Sequence, residues 1–191
     1  MRTIVGGLLL ATLIPAAGPA AAQLDGSIAP ARVVAGALSF EGHATVGDFT
    51  GTTGEVTGEL TAGVLTDVRG WVEAPVRTLD TGDRKRDRDL NKSMESDKYP
   101  AIRFELTGVT PRGGTGDSVA ATLAGRMLIH GVSREVSLPA EIRWAAEGIR
   151  VRSDFPLNLK DYQIGGLSKM LGMLKMREDI EVHVDLTFAP Q

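Results

Sequence analysis

DTGDRKRDRDLNKSMESDKYPAIRFE, residues 80–105, is where an otherwise alternating sequence breaks for a long run of charge. Leu90 and Met94 stand four residues apart and so share one face of a helix, which predicts a short helix over about residues 87–97 with one thin apolar stripe. Asp83 or Asp87 can cap its start. Pro100 ends it, because the residue before a proline, here Tyr99, is pushed out of the helical region. Ile102, Phe104 and Leu106 then restart a strand, so the charged run is a helical insertion between strands.

Upstream, Val34, Leu38 and Phe40 can share one face of a strand over residues 31–40. Residues 42–53 are rich in glycine and threonine and read as a wide turn or a short bulged strand. Alternation is plain from Val56 through Gly58, Leu60 and Ala62. After Gly63 it runs on with Val64, Thr66, Val68, Gly70, Val72 and Ala74 on one face. Downstream, Val119, Ala121, Leu123, Gly125, Met127 and Ile129 form one inward face. Val136, Leu138, Ala140, Ile142 and Trp144 form another, then Ile149, Val151, Phe155, Leu157 and Leu159. Ile180, Val182, Val184, Leu186 and Phe188 complete the series. Period two with one polar face describes strands packed on one side only. About eight such strands with short connections predict an all-β, eight-stranded antiparallel up-and-down barrel rather than a parallel sheet. Residues 162–176, rich in methionine and glycine, read as a loop packed on the barrel end or as a lid over a lumen.

The N-terminus is expected to lie outside the fold. Arg2, an apolar run over residues 4–14, and Ala20, Ala21 and Ala22 before Gln23 follow the secretory signal-peptide pattern. The run is shorter than the roughly 20 apolar residues of a membrane span. The expectation is a signal peptide over residues 1–22, cleaved near Ala22 and Gln23, and a single periplasmic or secreted domain over residues 23–191. The absence of cysteine removes disulfides, thiolate catalysis and thiolate metal sites, so a hydrophobic core must hold the domain. A net charge of −3 argues against nucleic acid and against an anionic membrane surface as partners. No stable membrane insertion is expected.

His43, His130 and His183 fall on separate segments without metal-ligand spacing. No nucleophile elbow, phosphate loop or dinucleotide glycine pattern occurs. Glu178, Asp179, Glu181 and Asp185 read as a solvated strand face. No catalytic residue, metal site or cofactor is expected. An eight-stranded barrel is just wide enough to be filled by side chains or to hold one small ligand. Inward Gly58, Gly70, Ala121, Gly125 and Ala140 leave both outcomes open.

Four segments carry a family resemblance: RDRDLNKSMESDKYPAIRFE (86–105), LAGRMLIHGVSREVSLP (123–139), FPLNLKDYQIGG (155–166) and DIEVHVDLTF (179–188). Together they resemble the YceI-like family, with its arginine-aspartate helix, tyrosine-proline strand start and isoleucine-histidine-glycine turn. Where that family often carries paired phenylalanines after the helix, this chain has Ser93, Met94 and Glu95. The resemblance implies an extended lipocalin-like barrel, usually exported, that holds a polyisoprenoid, isoprenoid quinone or similar amphiphilic lipid, without enzymatic activity. Oligomeric state stays open, a homodimer included. Phe104, inside the tyrosine-proline motif, and by inward parity Val72, Leu106, Leu123, Met127, Leu138, Ile142, Phe155 and Leu157 are then the expected ligand-binding residues. Arg86 either meets an anionic head group or, with Asp87, forms a structural ion pair or helix-end contact. The rival expectation is a filled barrel acting as a non-enzymatic envelope interaction or stress-response protein.

Overall fold

The computed structural model describes residues 27–45, 47–165, 168–169 and 174–191. The expected signal peptide lies outside them, as do residues 166–167 and 170–173 of the methionine-rich segment. Among the described residues, nine strands of four or more residues occur in chain order: β1 (Ala31–Ala44), β2 (Gly47–Thr53), β3 (Thr57–Leu60), β4 (Gly70–Pro75), β5 (Ala101–Thr115), β6 (Ser118–Ile129), β7 (Val132–Ala145), β8 (Gly148–Asn158) and β9 (Asp179–Pro190). One α-helix, α1 (Arg84–Ser93), joins β4 to β5. All the pairings are antiparallel. They run from β9 through β8, β7, β6, β5, β4 and β3 to β1, and β1 pairs back onto β9. Eight strands therefore close the barrel, while β2 takes over the second half of β1 as a hairpin partner.

The register stacks inward residues into continuous rows. Val72, Phe104 and Met127 stand opposite one another across β4, β5 and β6. Phe40, Val182 and Phe155 do the same across β1, β9 and β8. Because side chains alternate with period two, a slip of one residue would turn each of these rows out to water. The outer face is polar. Arg103 lies over the Trp71 ring, 4.4 Å from its centroid, and ion-pairs with Glu73 and Glu105.

Helix α1 begins three residues earlier than the spacing of Leu90 and Met94 suggests, and it ends at Ser93. The Asp83 carboxylate accepts from the backbone N–H groups of Lys85 and Arg86 at 2.7 and 3.1 Å, which fixes the start. Hydrogen bonding by those two amides, Arg86 first, holds the Asp83 carboxyl below the ordinary carboxylate range. Glu95, at a φ of 45°, turns the chain left-handed and stops the helix before the proline can. Met94 is buried and Leu90 half-buried against the core, so the thin stripe does anchor the helix.

Three other expectations are corrected. Residues 42–44 end β1 and residues 47–53 form β2, a short strand paired with it without a bulge rather than a wide turn. Val34 does not share a face with Leu38 and Phe40. Thr187 pairs with Ala35 and Phe188 with Val33, so a bulge ejects Val34, which is 52% exposed. The run from Val64 to Ala74 is not one strand. The N–H groups of Asp67 and Val68 both donate to the Val64 carbonyl, forming a tight turn that buries Leu65 and Val68 and leaves Val64 outside. Period two gives way there to a helical spacing, and alternation resumes only at Gly70.

Candidate functional site

The barrel encloses a cavity of about 590 Å³. Ligand pockets usually measure about 300–1,000 Å³, so the space is large enough for a small amphiphile. Val72, Phe104, Leu106, Leu123, Met127, Leu138, Ile142, Phe155 and Leu157 all line it, contributed by β4, β5, β6, β7 and β8. Sequence reasoning missed several other lining residues. Leu65 was hidden by the turn it belongs to, Val68 carried the same parity as Val72, and Ile28 precedes the first long strand. Phe49 lay in a segment read as irregular. Ile180, Val182 and Leu186 carried the same parity signal as the chosen residues and could have been found by it.

Two glycines make room for aromatic rings. A side chain at Gly125 would meet the Phe104 ring at 2.5 Å, so this ring lies across the glycine and fills the space that the glycine vacates. Phe40 covers Gly51 in the same manner. The open volume is therefore what remains after the rings have settled over the glycines.

One hydroxyl sits in the apolar wall. Ser153 is 5% exposed, and its Oγ donates to the Pro139 carbonyl at 2.6 Å. The ladder between β7 and β8 stops one residue earlier, at the pairing of Arg152 with Glu141. Pro139 has no N–H with which to continue it. The Ser153 side chain thus ties the two strands together where the backbone cannot.

The two ends of the cavity differ. The loop between β3 and β4 brings Leu65 and Val68 across one end, with Ile28 beside them. The opposite end is lined by α1 through Lys85, Arg86, Asp89 and Leu90, and by Asp48 and Phe49 from the hairpin of β1 and β2. The Arg86 guanidinium lies 4.5 Å from the centroid of the Phe49 ring. Phe49 in turn meets Phe40 edge to face, with centroids 6.0 Å apart. Arg86 does not pair with Asp87. The Asp87 carboxylate accepts instead from the Thr81 hydroxyl at 2.6 Å and the Thr81 N–H at 2.9 Å.

Behind the helix, a cluster of strained residues fixes its position. Glu95, His130 and Gln163 are the non-glycine residues with positive φ among the described residues. His130 Nδ1 donates to the Tyr162 carbonyl at 3.1 Å, and its Nε2 stands 3.5 Å from the Glu95 carboxylate. The Tyr99 ring packs edge-on against the imidazole, 4.8 Å between centroids. Burial pushes the Tyr162 phenol up from its ordinary value. Three loops are thereby fastened at one point: the turn after α1, the turn joining β6 to β7, and the turn after β8. Left-handed backbone costs about 1–3 kcal/mol per residue and persists only where its surroundings enforce it.

Among the described residues no group of histidine or acidic side chains is placed to hold a metal ion. Nor is any helix among the described residues long and apolar enough to cross a membrane.

The sequence model of the YceI-like domain matches residues 31–188, nearly the whole of the described barrel. The chain belongs to the YceI-like family. Solved structures share the fold of this YceI-like domain at low identity. Burkholderia cenocepacia BcnA aligns with a TM-score of 0.66 at 14% identity, over 80% of this chain and 94% of that one. A polyisoprenoid binding domain from Saccharophagus degradans, implicated in plant cell wall breakdown, aligns with a TM-score of 0.71 at 13% identity, over 85% and 99%. The Campylobacter jejuni YCEI protein aligns with a TM-score of 0.51 at 19% identity, over 64% and 72%. Among curated proteins none matches the chain.

Proposed function

We propose that this chain is an exported, non-enzymatic carrier that holds a polyisoprenoid, isoprenoid quinone or similar amphiphilic lipid inside its barrel. The observation that carries the reading is the apolar cavity of about 590 Å³, walled by register-locked strands and lined with polar side chains chiefly at one end. The Saccharophagus domain of the same fold, a polyisoprenoid binding domain, supports it. Each buried methylene contributes about 0.8 kcal/mol of transfer free energy, so a long hydrocarbon supplies affinity without polar contacts. Ordering of the flexible chain offsets part of that gain. Val72, Phe104, Leu106, Leu123, Met127, Leu138, Ile142, Phe155 and Leu157 supply much of the contact surface.

Organic extraction of the purified protein followed by mass spectrometry tests the reading. A stoichiometric isoprenoid or quinone is the expected result. A protein that yields nothing and takes up no apolar fluorescent probe overturns it in favour of a filled barrel. N-terminal sequencing of the exported form tests the cleavage near Ala22 and Gln23.

A further inference from the structure

We infer that the mouth of the cavity is a head-group site in which the Arg86 guanidinium receives a carboxylate at the polar end of the bound amphiphile. The inference rests on the carrier reading above and adds to it the chemistry of the ligand's exposed end.

The carboxylates that line the mouth are already committed. Asp83 caps α1 through two backbone amides. Asp48 lies 2.9 Å from His43 Nδ1. Glu73, on the neighbouring strand, pairs with Arg103 at 3.3 Å. Asp89 has a contact of its own. Arg86 stands apart from these. Its one ion pair among the described residues is with Asp83 at 3.8 Å, outside hydrogen-bond reach, and its side chain donates no hydrogen bond there. A guanidinium carries five N–H donors in a planar fork that matches a carboxylate.

Placement favours the same conclusion. The guanidinium carbon of Arg86 lies 4.5 Å from the centroid of the Phe49 ring, a cation–π contact that restrains the side chain at the mouth. Phe49 lines the cavity and touches Phe40 within it, so the fork sits where the apolar wall ends. A chain buried among Phe104, Met127 and Phe155 would bring its polar end to this point. The partial neutralisation of Arg86 by Asp83 suits a single carboxylate better than a doubly charged group.

The test compares two amphiphiles with the same hydrocarbon chain, geranylgeranoic acid and geranylgeraniol, by displacement of the neutral apolar probe N-phenylnaphthylamine. At about pH 8 the acid is fully ionised. The wild-type protein is expected to bind the acid about tenfold more tightly than the alcohol, and added salt is expected to shrink that advantage. Arg86→Gln should bring the two affinities together while leaving the alcohol unchanged, and Arg86→Lys should retain part of the preference. Equal binding of both amphiphiles by the wild type overturns the inference and leaves the carrier reading standing. Equal weakening of both by Arg86→Gln also overturns it, because Arg86 would then only hold the helix in place. Failure of the wild type to bind the probe or either amphiphile sinks the carrier reading itself.

Discussion

The two ends of this barrel are built on opposite principles. One is covered by apolar side chains from the loop between β3 and β4, where Val68 is 2% and Leu65 8% exposed. The other is covered by α1, which buries no residue of its own ten and is held by its cap, by half-buried Leu90 and by Met94 just beyond it. Hydrophobic burial is non-directional and strong, whereas caps and surface contacts are directional and weak in water. The first end therefore behaves as core. The second rests on directional contacts, and on the proposed carrier reading it is the end at which a ligand would exchange.

Substitutions along the barrel axis should reveal this contrast. Val68→Asp places an unpaired carboxylate in the apolar end and is expected to destabilise by about 3 kcal/mol or more, read from urea unfolding. Leu123→Ala, midway along the lumen, is expected to cost about 2–3 kcal/mol. That value lies towards the lower end for such truncations because the side chain already borders open space. Its measurement is the same urea midpoint, together with increased uptake of an apolar probe.

A third substitution separates the wall from both ends. Asp185 accepts from Arg150 at 2.7 and 2.6 Å and from Arg152 at 3.0 Å. The Arg150 hydrogen bonds, followed by those of Arg152, hold its carboxyl below the ordinary range. A lowered folded value means that the stabilisation is present above the unfolded value of about 3.9 and fades as pH falls through the folded one. Asp185→Asn is expected to lose less than about 1 kcal/mol near neutrality, since the pair is half exposed and screened. The gap to wild type should close in strongly acidic solution, as followed by unfolding midpoints across pH.

The smallest global effect is expected at the mouth. Asp83→Ala should leave the unfolding midpoint nearly unchanged while speeding hydrogen exchange of the Lys85 and Arg86 amides, measured by NMR or mass spectrometry. If Asp83→Ala proves as damaging as Val68→Asp, the contrast between the ends fails.

Much of the barrel was legible because its long strands obey a simple period. Ala121, Leu123, Met127 and Ile129 alternate without interruption, and all four are buried. Eight of the nine lumen candidates rested on parity, and Phe104 on the tyrosine-proline motif. Legibility ended wherever backbone geometry departed from that period. The bulge at Val34 and the turn at Val64 each shift the alternation, and no local residue type announces either one. The mouth was only half readable. Asp83 and the apolar pair of Leu90 and Met94 marked the helix, but the stacking of Arg86 on Phe49 joins residues 37 positions apart, with no trace in either segment.

The sequence by itself determined the strand faces, the helical insertion and the exclusion of thiol chemistry, because these follow from periodicity, capping and composition. Tertiary structure alone decided that β1 returns to β9 and closes the barrel, that Phe104 settles over Gly125, and that a cavity remains. It also decided that Asp87 turns to Thr81 and leaves Arg86 at the mouth. Closure and cavity volume depend on the summed register and packing of eight strands, and those sums are not written in any one of them.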